Sequence, residues 1–210
     1  MRTILLLLCI LTVTVPSKAQ LFRDWKPGSY YDTLNKKKTG LISWYIVNAK
    51  SPKQNFIRFK PNEHTDDAKI STQNIRAFTF GTDSFVVSKS KETHFAPVLQ
   101  VLANENVKLY KLLVSNGSLR LGGGSMGFGA VPAGYGSSTK LEYYVGSNLE
   151  NLTLLTKKNF IEMMSLVMAN KPDIQDKIKS KILRLEDMQD LLVYYRTGKM
   201  PVPPDDDVYH

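Results

Sequence analysis

Carboxylates and histidines are the side chains of this chain that could do acid–base or metal chemistry. Asp83 lies between two apolar runs, Glu142 inside a third, and Glu162 among Phe160, Met163 and Met164. Two such carboxylates brought together could hydrolyse a glycosidic or ester bond, but the fold sets that pairing, not the spacing. Each also has an ordinary role, as turn former, outward strand residue and polar helix residue respectively. The histidines are His64, His94 and His210, and no two stand at helical ligand spacing. Glu63, His64, Asp66 and Asp67 form the one mixed cluster of hard ligands. It lacks the alternating oxygens of a dedicated calcium loop and reads as a solvated polar loop. We therefore expect no metal and no cofactor, and assign no catalytic residue.

Short motifs point to chemistry without supporting it. Gly122-Gly123-Gly124-Ser125-Met126-Gly127 matches the dinucleotide fingerprint G-x-G-x-x-G. That fingerprint must open a helix, and Phe128-Gly129-Ala130-Val131-Pro132 cannot start one. Ser137-Ser138-Thr139-Lys140 and Lys38-Thr39-Gly40 match the S-x-x-K and K-T-G elements of penicillin-recognising enzymes, but in reversed order. The sequons at Asn116 and Asn151 matter only in a eukaryotic secretory pathway. The Met163, Met164 and Met168 group reads as core packing.

The positive charge carries more information. The net charge is +9, with the basic excess in residues 20–150, while acidic and basic residues balance over 151–210. Lys36-Lys37-Lys38 form a basic run, and Arg58 and Lys60 alternate with Ile57 and Phe59. These five cations are the candidate binding surface, suited by long-range attraction to an anionic envelope component or to another protein. No nucleic-acid-binding module accompanies them, so no nucleic acid is expected.

The N-terminus reads as a leader. Arg2 precedes an apolar stretch over 4–15, and Ser17-Lys18-Ala19 predicts cleavage between Ala19 and Gln20. The stretch is shorter than the roughly 20 residues of a membrane span. The single cysteine, Cys9, lies inside it, so the processed chain would carry no thiol and no disulfide. A periplasmic or secreted location follows as the expectation. No later segment is apolar and long enough to cross a bilayer.

The elements that must position the cations then come into view. Over 41–145, short runs rich in Val, Ile, Phe and Tyr alternate with turn residues and predict strands at 41–47, 55–60, 74–80, 85–88, 97–102, 107–114 and 140–145. Gly81-Thr82-Asp83 and Asn104-Glu105-Asn106 predict hairpin loops. The period changes near Asn159. Phe160, Met163, Met164, Val167 and Met168 recur at helical spacing, then Ile174, Ile178 and Ile182, then Met188, Leu191, Leu192 and Tyr195. Pro172 suits a helix start and Gly198 a helix end. The expected fold is α+β, an antiparallel meander or open barrel followed by about three C-terminal helices. It forms one domain over 20–200, β-rich over 41–145 and helical over 157–198. Residues 20–40 show no clear period. Residues 117–138 predict a long mobile loop and 201–210 a disordered tail.

Several segments together resemble a group of exported proteins from Bacteroidetes-type Gram-negative bacteria. They are Trp25-Lys26-Pro27-Gly28-Ser29-Tyr30-Tyr31, Ile75-Arg76-Ala77-Phe78 and the stretch from Lys157-Lys158-Asn159-Phe160 to Tyr194-Tyr195. The resemblance implies an exported compartment and this architecture; the group has no assigned activity, so no catalytic residue carries over. The expected function is a non-enzymatic interaction protein with a basic β-region. The alternative is a carboxylate-based hydrolase with the 117–138 loop as lid.

Overall fold

The structure is a computed structural model and describes residues 24–45, 48–50, 52–93, 95–115 and 139–201. The expected leader at 1–19, the 117–138 segment expected as a loop and the expected tail beyond Pro201 lie outside the described residues.

Among the described residues ten strands make one antiparallel sheet. They are β1 (Lys26–Asp32), β2 (Lys37–Ser43), β4 (Phe56–Lys60), β5 (Ala68–Ser71), β6 (Ile75–Phe80), β7 (Asp83–Val87), β8 (Val98–Asn104), β9 (Lys108–Ser115), β10 (Thr139–Gly146) and β11 (Thr153–Leu154). A short β3 (Asn48–Ala49) pairs parallel with β9. The spatial order is β11-β10-β9-β8-β7-β6-β1-β2-β4-β5, two meanders joined where β1 meets β6. Helices α1 (Phe160–Val167), α2 (Pro172–Lys179) and α3 (Met188–Thr197) follow. The fold is α+β, as the two periods of the sequence require.

One hairpin illustrates how local sequence sets register. Phe80 pairs with Asp83 across the two-residue turn Gly81-Thr82. Gly81 has φ +61, the positive value a tight hairpin needs at its first central residue. Asp83 therefore opens β7 instead of lying in the loop.

The N-terminal half is forced to curl. Strands β5 and β6 stand four positions apart in the sheet, which would separate them by about 19 Å if it were flat. Only the 3₁₀ turn Thr72–Asn74 joins them, and the span from Ser71 to Ile75 reaches at most about 14 Å. The sheet must bend to close that gap. Gly28 and Gly40 face each other across β1 and β2 and permit the bend. A Cβ on Gly40 would lie 2.1 Å from the Lys60 carbonyl oxygen, and one on Gly28 2.2 Å from that of Thr79. Inside the curl Tyr30, Ile42, Trp44, Ile57, Phe59, Phe78 and Phe85 form one core. Trp44 meets Phe78 and Phe85 edge-on at 5.0 and 4.8 Å.

In the C-terminal half both sheet faces are buried. The helices cover one face, where Leu109, Tyr143 and Val145 pack with Met164, Met168, Ile178 and Leu191. Met163 packs against this core, so the methionine group is interior packing as the sequence suggests. On the other face Leu99, Tyr110, Leu112 and Tyr144 lie beneath Phe95, Leu149 and Leu152. Asn48 ties the strand ends together. Its side-chain amide donates to the carbonyls of Val98 and Leu113 and accepts from the Val98 N–H.

Two further details differ from the sequence reading. Strands begin at Lys26, not near 41, because β1 carries Pro27 and Gly28, which imitate a turn. Ile182 is 60% exposed, and Leu183 supplies the buried contact instead. Helix α2 stops at Lys179, and Lys181 adopts φ +61, which rotates the following residues off the helical stripe.

Candidate functional site: a basic and aromatic sheet face

Register decides which cations share a surface. Directly opposed residues of antiparallel strands point to the same face. Tyr31 pairs with Lys37, Leu41 with Lys60, Ser43 with Arg58, Arg58 with Lys69 and Phe56 with Ser71. Residues 37, 39, 41 and 43 of β2 alternate onto this face, as do 56, 58 and 60 of β4. The core residues Tyr30, Ile42, Ile57 and Phe59 occupy the opposite one. Strands β1, β2, β4 and β5 thus turn outward a face of lysines and half-buried aromatic rings.

Each of three lysines lies over a ring. The Lys60 ammonium is 4.7 Å from the Trp25 ring centre, Lys69 is 3.7 Å from that of Phe56, and Lys37 5.9 Å from that of Tyr31. Such contacts contribute about 0.5–1 kcal/mol each at exposed sites. That suffices to hold a side chain in place without removing its charge from water. Among the described residues, no carboxylate lies within ion-pair distance of these three ammonium groups.

The five sequence-predicted cations divide. Lys37, Arg58 and Lys60 share the outward face. Arg58 is ion-paired with Asp67, so its charge is offset. Lys38 pairs with Tyr30 and belongs to the other face, its ammonium 5.8 Å from that ring centre at the rim of the curl. Lys36 lies in the β1–β2 turn, where the Asp32 carboxylate accepts from the Leu34 and Lys36 N–H groups. Sequence reasoning missed Lys69, because the four-residue β5 is too short for its alternation to show. It also missed the pairing of Lys37, Lys60 and Lys69 with aromatic rings.

Among the described residues the carboxylates and histidines do not assemble. Asp83, Phe85, Gln100, Lys111 and Tyr143 follow one another in register along one face, so Glu142, next to Tyr143, projects from the other. Asp83 accepts from Gln100 at 3.0 Å. Glu142 accepts from the Tyr144 hydroxyl at 2.7 Å and pairs with Lys140. Glu162 is exposed on α1. His64 sits in a turn whose N–H donates to Asn62, and His94 and His210 lie outside the described residues. Among the described residues no group of His, Asp and Glu could hold a metal ion.

Burial sets the electrostatics of the sheet interior. It pushes the hydroxyls of Tyr110, Tyr143 and Tyr144 up, and the Glu142 carboxylate adds to the effect at Tyr144. It pulls the Lys111 ammonium down, against the opposing attraction of Asp83. Beside Lys111, the Gln100 Oε1 atom is buried with no partner among the described residues.

Comparison with protein-family models, with curated proteins and with solved structures finds no match for this chain.

Proposed function

We propose that this is an exported, non-enzymatic binding protein that holds an anionic carbohydrate of the cell envelope on the outward face of β1, β2, β4 and β5. The observation that carries the reading is the set of three lysines, Lys37, Lys60 and Lys69, each over an aromatic ring and, among the described residues, without a carboxylate at ion-pair distance. The acidic groups of the sugars meet ammonium groups that the rings hold in place. The basic balance of residues 20–150 adds long-range attraction. The leader at 1–19 and the resemblance to exported proteins support the compartment.

The test is binding of an acidic polysaccharide to the purified protein across a salt series. Affinity should fall steeply between about 0.05 and 0.5 M salt, as screening of exposed charges requires. The combined Lys37→Gln, Lys60→Gln, Lys69→Gln variant should bind at least about tenfold more weakly, about 1.4 kcal/mol. Binding indifferent to salt and to these substitutions would overturn the reading. For the compartment, sequencing the N-terminus of the native protein should begin at Gln20; an intact Met1 would refute export.

A further inference from the structure

The face just described does not end at β1. Tyr31 pairs with Ala77 on β6, and Ala77 with Val86 on β7, so one surface runs in register from the lysine–aromatic rows across two further strands. There it enters a groove of about 1410 Å³. Arg76, Ser84, Val86 and Tyr110 line its sheet side, and 147–150 line the other. The 147–150 loop is pinned across the sheet, since the Lys89 N–H donates to the Leu149 carbonyl at 3.1 Å. Lys89 and Glu150 also border a second hollow of about 640 Å³, which prolongs the path. The other end of the groove reaches Asp83, Lys108 and Arg196.

Three properties identify an occupant. The volume exceeds the roughly 300–1,000 Å³ of a small-molecule pocket, which favours a chain of several units. Arg76, Lys89, Lys108 and Arg196 outnumber Asp83 and Glu150, so the occupant carries negative charge. The remaining polar lining includes exposed hydroxyl and amide groups, from Thr82, Ser84, Asn104 and Ser147, which suits a hydroxyl-rich partner. An extended peptide would instead seek a free strand edge with its unpaired backbone groups. The groove crosses strands already paired on both sides.

We propose that this groove holds an extended acidic oligosaccharide, whose further units continue over Tyr31 onto the lysine–aromatic face. The inference rests on the carbohydrate-binding reading above and adds a second, separable subsite. The cations of the groove meet the acidic groups of one segment, and the hydroxyl and amide side chains bond its sugar hydroxyls.

Calorimetric titration with oligogalacturonates of increasing length tests it. Affinity should rise by about tenfold or more from the dimer to the octamer, as additional charges are engaged. The combined Arg76→Gln, Lys89→Gln, Lys108→Gln variant should lose at least that gain for the octamer and little for the dimer. On the unmodified protein, the octamer should protect Lys89 and Lys108 from acetylation read by mass spectrometry, which does not depend on any variant folding. If the groove variant binds the octamer as the parent does while the Lys37, Lys60, Lys69 variant does not, the groove is overturned and the binding face stands. If oligothymidylate or oligoglutamate of equal charge binds as tightly and protects the same lysines, the ligand class is wrong. If no anionic oligomer binds, both readings fall together.

Discussion

At the scale of single residues, Asn48 shows how much structure one buried amide can hold. It is 1% exposed and satisfies both backbone groups of Val98 as well as the Leu113 carbonyl. Replacing it by alanine leaves those groups buried without partners, each at a cost of about 1–3 kcal/mol unless water enters. Asn48→Ala should therefore lower the unfolding free energy by about 2–4 kcal/mol, measured as a shifted urea midpoint at unchanged slope. An effect within about 0.5 kcal/mol would mean the clamp is not a determinant of stability. Nothing in the sequence marks this residue, because its three partners lie 50 and 65 positions away. The cations tell a similar story. Lys36, Lys37 and Lys38 read as one basic run, yet the pleat of β2 sends Lys37 outward and Lys38 to the other face. Charge was legible in the sequence, and its direction was not.

At the scale of elements, legibility follows alternation. Strands β6 to β10 and the three helices have clean periods, because each buries one face or both against a single core. β1 was not legible. Its Gly28 is required by the close approach of β6, and the same residue, beside Pro27, reads as a turn. Gly40 of β2 makes the corresponding approach to β4, where a Cβ would meet backbone instead of a movable side chain. Gly40→Ala should thus destabilise by about 2 kcal/mol or more, within the range of overpacked sites. The same substitution at Gly198, whose φ of +69 ends α3 with nothing within 4 Å of a built Cβ, should cost only about 1 kcal/mol. Thermal unfolding of the two variants side by side checks that order, and equal losses would remove the argument that the curl depends on Gly40.

At the scale of the whole molecule, burial of tyrosines gives stability a pH limit. Tyr110, Tyr143, Tyr144 and Tyr195 all have hydroxyls pushed above the usual value near 10, with burial the largest cause in each. Their contribution is complete below that value and is lost as pH rises through the higher folded values. Lys111 acts in the opposite sense, since burial favours its neutral form. One lysine does not reverse the sign set by four phenols. The urea midpoint should hold between about pH 8 and 9.5 and then fall, with a shallower fall in Tyr144→Phe. A midpoint flat to about pH 11.5 would contradict this.

The sheet also has two ends. One is the two-residue β11 and the other the four-residue β5, both too short to template a further strand with ease. Lys69 stands exposed in the middle of β5, so an approaching chain must desolvate an ammonium group before it can add. A lysine proposed for ligand contact would therefore also guard against self-association. Lys69→Gln alone should raise the tendency of concentrated protein to form larger species, visible in light scattering, whereas Lys37→Gln, on an interior strand, should not.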